Sequence, residues 1–139
     1  MGTKHFGTGE DYANALRAVI AEGVPEKHIE LLQAHCLAPR RTRTASQLAR
    51  DVGYANYGAA NLQYGTLAHR VGSRLGLTEP PRGFWLFVLV DWAGSTDPSG
   101  HTRFVLRSPV VQALQQLGYP WAKSVRSNPA GPAAADRRR

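Results

Sequence analysis

Apolar positions along the chain repeat with helical spacing over most of its first half. Tyr12, Leu16, Val19 and Ile20 form a stripe over residues 10–22, as expected of a helix that buries one face. Thr8, with Asp11 three positions later, supplies a cap at its start. Pro25 suits a first helical turn, and Ile29, Leu32 and Cys36 carry a second stripe to about Ala38, where Pro39 ends it. The basic run RRTR (40–43) then reads as a loop. Thr44 and Gln47 form a capping box that opens a short helix through Val52, with Gly53 at the left-handed closing position. Asn56 is a good N-cap for a longer helix through Leu75, closed by Gly76 and Leu77. Helix, glycine turn and longer helix (44–76) have the spacing of a helix-turn-helix, a signal that plain packing units share.

The period changes at Gly83. FWLFVLVDW (84–92) is apolar on both faces and rich in aromatic and β-branched residues, so it reads as a strand. AGSTDPSG (93–100) is a turn, and TRFVLR (102–107) alternates like a returning strand. Ser108 as N-cap, Pro109 in the first turn and Gly118 frame a last helix. The expected fold is therefore α+β and mainly helical: a helix-turn-helix-like core of about five helices with a small antiparallel β-hairpin (83–107). Residues 1–122 read as one domain, and the basic tail 123–139 as disordered.

Charge sharpens this picture. Of the net +7, the segment 40–74 carries +5, from six arginines against Asp51, and the tail carries +4, while 1–39 is net −2. Arginine gathered around a helix start points to a polyanion, because phosphates are neutralised with release of counterions. The single Cys36 excludes an intramolecular disulfide and fits a reducing cytoplasm. MGTKHFGTGE has no apolar core segment, so no secretory signal is expected, and no apolar run is long enough to cross a bilayer.

Catalytic chemistry finds little support. A glycine-rich phosphate loop, HExxH and CxxC are all absent, and the five histidines lack ligand spacing. His28 and His35 are the nearest approach to a metal pair, and Asp91 with His101 to a dyad; an ordinary structural role is the better reading of both. No enzyme, cofactor or metal is expected.

Binding finds more. In a helix-turn-helix the second helix leads into the major groove with its N-terminal residues. Here Tyr54, Asn56, Tyr57, Ala59, Asn61 and Tyr64 would face bases, although Tyr64 also belongs to the core stripe Ala60, Tyr64, Leu67, Val71, Leu75. Arg40, Arg41, Arg43, Thr44 and Ser46 at the capped helix start, with Arg70 and Arg74, would hold phosphates. Arg70 and Arg74 are like charges four apart, unfavourable unless an anion sits between them. Trp85, Trp92 and Trp121 read as packing residues, one of which could line a base pocket.

RTRTASQLARDVGYANYGAANLQYGTLAHRVG (41–72) resembles a segment of small bacterial 5-methylcytosine-binding DNA readers. These are related to modules fused to HNH nucleases of methylation-dependent restriction. The resemblance spans roughly 28–117 and is strongest at GYANYGAANLQYG (53–65). It implies recognition of 5-methylcytosine in double-stranded DNA by a cytoplasmic, nucleoid-associated protein without nuclease activity, since no HNH signature is present. Tyr119-Pro120 leaves a phosphorothioate-DNA reader as a lesser reading. An operator-binding regulator and a protein-interaction module of a restriction system are the others. The lack of coiled-coil heptads favours a monomer.

Overall fold

A computed structural model of the chain describes residues 5–123, the last by its backbone alone. The tail expected to be disordered lies outside the described residues. Helix α1 (Gly9–Glu22) starts at the expected capping box: Thr8 Oγ1 accepts from the Asp11 N–H at 3.1 Å, and Asp11 accepts from the Thr8 N–H at 2.9 Å. The second helix, α2, runs Glu26–Leu37, with Pro25 in the cap position. Helix α3 (Ala45–Val52) repeats the capping box with Thr44 and Gln47, and ends on Gly53 at φ +89°. Residues 53–56 lead into α4 (Tyr57–Arg74), where Asn56 Oδ1 accepts from the Ala59 N–H at 2.9 Å. At its far end the Leu77 N–H reaches back to the Gly72 carbonyl at 2.9 Å around Gly76 at φ +89°, the expected closing turn.

The stripe on α4 is core. Ala60, Tyr64, Leu67 and Val71 are buried, meeting Leu16 and Val19 of α1 and Leu31 and Leu32 of α2 in one cluster. Burying a leucine such as Leu67 contributes about 1.5–3 kcal/mol. Tyr12 of α1 donates to the Val88 carbonyl at 2.6 Å, and burial pushes its phenol up to about 12. That bond ties the first helix to the start of the sheet.

The sheet is the expected hairpin with one addition. Strands β2 (Val90–Thr96) and β3 (Thr102–Leu106) are antiparallel, with Asp91 opposite Val105 and Trp92 opposite Phe104. A third strand, β1 (Thr42–Arg43), lies on the other side of β3, in the order β1-β3-β2. The basic run read as a loop thus turns through Arg40 and Arg41, both at positive φ (55° and 53°), and then joins the sheet. The apolar run read as one strand also divides. Trp85–Val88 is a 3-10 turn, and the strand begins only at Val90. Val88, Leu89 and Val90 are buried in succession, which an extended strand with one covered face does not allow.

Helix α5 begins at Ser108 itself, one residue earlier than expected, so that Arg107 and not Ser108 holds the cap position, with no side-chain cap bond. Arg107 is buried; its Nε donates to the Phe87 carbonyl at 2.9 Å and its guanidinium covers the Phe6 ring. A short α6 (Pro120–Lys123), unforeseen in the sequence, packs on α2 and α5. Among the described residues no helix is long and apolar enough to cross a membrane.

Candidate nucleic-acid interface

The hairpin stands beside α4 like a wing, and an open cleft of about 800 Å³ separates the two. One wall is the outward face of α4: Asn61, Leu62, Gly65, Thr66 and His69. The other is aromatic, with Phe84, Trp85, Phe87, Trp92 and Phe104. Edge-to-face contacts brace that wall, Phe84 on Phe87 at 6.4 Å and Phe87 on Phe104 at 6.2 Å. Toward the C-terminal half of α4, His69 stacks on Trp85 at 4.1 Å with planes 11° apart. Trp85 seats there because Gly72 has no side chain; a Cβ on Gly72 would lie 2.9 Å from its Cζ3. At the mouth Arg82 and Gly83 are both left-handed (φ 54° and 86°) and lead into Phe84, which remains 67% exposed. Arg82 covers Phe87 at 5.2 Å and reaches Asp91 at 3.5 Å. No acidic residue lines the cleft.

The N-terminus of α4 continues this surface. Tyr57 meets the edge of His101 at 5.2 Å, and His101 Nε2 lies 3.5 Å from Ser46 Oγ. Asp97 fixes the tip of the wing by accepting from the backbone N–H groups of His101 and Ser99, both at 2.9 Å. The His101 N–H is the main reason that the Asp97 carboxyl sits below its ordinary range. Ser46, Tyr57, Asn61 and the cleft therefore form one connected face.

Several expected site residues lie elsewhere. Tyr64 is only 2% exposed; its hydroxyl pairs with His35 Nδ1 at 2.8 Å, while His35 Nε2 lies 3.0 Å from the Phe104 carbonyl. A carbonyl only accepts, so Nε2 carries the proton and Nδ1 accepts from Tyr64. Tyr64 is a core residue and not a base contact. Thr44 is buried, and its hydroxyl is used in the cap, so its side chain is closed to a phosphate. Tyr54 packs toward α2, beneath Lys27 Nζ at 5.4 Å and near Glu30, apart from the cleft. Asn56 uses its carbonyl oxygen as a cap but stays exposed. Ala59 is half-buried beside it.

The arginines divide in the same way. Arg70 and Arg74 do have an anion between them, and it is internal: Glu22 pairs with both. Arg70 also donates to the Gly23 and Val19 carbonyls at the end of α1, at 2.8 and 3.4 Å, where a helix presents negative partial charge. They clamp α1 to α4. Arg43 forms a two-pronged pair with Asp51 at 2.9 and 2.8 Å. Arg40 is exposed, and Arg41 is half-buried with its Nε unsatisfied.

His28 and His35, the candidate metal pair, are occupied by Gln63 and by Tyr64 with Phe104. Asp91 lies opposite Val105 rather than beside His101, so the dyad does not form. Among the described residues no three metal-ligating side chains are clustered. Sequence reasoning missed Leu62, His69 and Phe84, although the aromatic excess of 84–92 was a usable signal. Comparison of the chain with protein-family models, with curated proteins and with solved structures finds no match.

Proposed function

We propose that the chain is a non-enzymatic DNA-binding module that prefers 5-methylcytosine in duplex DNA, with little dependence on the surrounding sequence. The observation that carries this reading is the placement of exposed apolar side chains. Of the five large ones among the described residues, Tyr57, Leu62, Phe84 and Trp92 stand in or beside the α4 cleft, next to Asn61, and only Leu37 lies elsewhere. Contiguous exposed apolar surface marks a binding site. It borders the helix that a helix-turn-helix turns toward DNA, with Arg82 at its mouth and Ser46 at its edge.

Arg40 and Arg82 would hold phosphates, which sets affinity and register but not the base. The methyl group must be read by shape. One buried CH₂ contributes about 0.8 kcal/mol, roughly a fourfold preference. A larger preference requires the methyl to complete a fitted surface, and the aromatic wall offers one. The chain would act as a nucleoid-associated protein and needs no cofactor in this role.

The test is a gel-shift titration at about 150 mM salt, where bare phosphate binding is weak. One duplex is offered unmethylated, with 5-methylcytosine and with phosphorothioate, alongside unrelated methylated sequences. Tighter binding to every methylated duplex is expected, and Asn61→Ala should lose that preference while staying folded. Equal weak binding to all would refute the reading. The apolar cleft would then favour a protein partner.

A further inference from the structure

Resting on that reading, we propose that the cleft is a base slot: a pyrimidine swung out of the duplex enters it and stacks on the aromatic wall. Its size is the first reason. A methyl group projecting from an intact major groove would leave most of an 800 Å³ cleft empty, whereas sites of roughly 300–1,000 Å³ enclose whole small molecules.

The chemistry of the lining is the second. Phe84, Trp92 and Phe104 present aromatic surface beside Trp85, already stacked on His69, and Phe87, covered by Arg82. The five side chains offer no hydrogen bonds beyond two indole N–H groups, and bases stack on aromatic surface whatever their identity. The polar groups are few and lie on the α4 side, chiefly Asn61 and His69, with Thr102 from the wing. The Thr66 hydroxyl is spent on the Leu62 carbonyl at 2.8 Å. Asn61 both donates and accepts, which matches the mixed donor and acceptor edge of a cytosine released from its partner. The absence of acids from the lining suits the edge of a polyanion, and Arg82, next in sequence to the lining residue Gly83 and over the Phe87 ring at 5.2 Å, adds positive charge beside the cleft.

The third reason is Gly65. Glycine in mid-helix weakens the helix and is normally kept for close packing. Gly72, two turns on, has that excuse, with Trp85 and Val88 at 2.9–3.0 Å from where its Cβ would be. Gly65 does not: a Cβ there would meet nothing within 4 Å, and it lines the cleft. Its missing side chain leaves open room that no protein atom uses. A flat ring lying across the helix backbone would use it.

The experiment uses the full chain and a methylated duplex, with guanine kept opposite the 5-methylcytosine and 2-aminopurine next to it on the same strand, emission and anisotropy being read in one titration at about 150 mM salt. Wild type should bind with a several-fold rise in emission as the analogue loses its stacking neighbour. Gly65→Leu puts a good helix former where the fold has room, so its thermal midpoint should match or exceed that of wild type. It should nevertheless lose the emission rise and at least about tenfold in affinity for the methylated duplex. Trp92→Ala, at a side chain 53% exposed, should do the same from the other wall. Methyl-selective binding by wild type without an emission rise, matched by Gly65→Leu, would overturn the slot and leave the DNA reading standing. No binding to any duplex would overturn both.

Discussion

The two halves of α4 have opposite fates. From Leu67 onward the helix is locked: Val71 is buried, Gly72 receives Trp85, and Arg70 and Arg74 hold Glu22. Its first half is anchored on the inward side alone, by Ala60 and Tyr64. Outward, Asn61, Leu62 and Gly65 face the wing across open space, and only Tyr57 at the helix start touches it, through His101. A helix that only packed would have drawn the wing against its whole length. Here aromatic side chains sit at one end, and a gap lined by aromatic side chains is kept at the other. Fold stability and surface for a ligand are thus divided along a single helix.

Acid should break the inward anchor most strongly. Burial pushes His35 down to about 4, from an ordinary value of 6.5. The folded state therefore holds the neutral ring, and its contribution is complete above pH 6.5. It is lost as pH falls from there toward about 4. At about 1.4 kcal/mol per pH unit the loss is roughly 3 kcal/mol. Urea unfolding at pH 7 and pH 4.5 would measure it, and Tyr64→Phe should lower stability at pH 7 by about 1–3 kcal/mol by leaving Nδ1 unsatisfied.

The two glycines test the comparison directly. Gly72→Ala forces Trp85 or Val88 to move and should cost about 1–3 kcal/mol. Gly65→Ala should instead stabilise by about 0.5–1 kcal/mol, as alanine does in an open helix position. Thermal unfolding of the pair decides the matter; equal destabilisation of both would mean that the first half of α4 is packed after all.

Glu22→Gln should have the smallest effect. The clamp lies at the surface, so stability should fall by less than about 1 kcal/mol. Arg70 keeps its bonds to the α1 carbonyls, so its release is incomplete. DNA affinity should stay within about twofold of wild type, because the clamp stands away from the cleft. A clear gain in affinity would return Arg70 and Arg74 to the phosphate-binding set.

Local rules explain what could be read in advance. Both capping boxes, the glycine turn at Gly53, the Asn56 cap and the closing turn at Gly76 each depend on residues within a few positions of one another. The core stripe of α4 follows from the period of the helix. Each misplaced feature had a distant partner. Thr42 and Arg43 become a strand only because β3 passes beside them, and Arg70 meets Glu22 from 48 positions away. FWLFVLVDW is apolar on every side, so its pattern held no period from which a turn could be told from a strand. Trp85 needed the notch of Gly72, and Tyr12 needed the Val88 carbonyl, to settle that stretch.

The sequence by itself determined the first four helices, their ends, the inward face of α4 and the concentration of arginine near α3, because hydrogen-bonded caps and side-chain periodicity act over a few residues. Only the tertiary structure decided which arginines are engaged internally, that Tyr64 belongs to His35, and that Phe84, Trp92 and Asn61 share one cleft. Those outcomes depend on which surfaces of distant segments compete for the same space and the same hydrogen bonds, and that competition exists only once the chain has closed on itself.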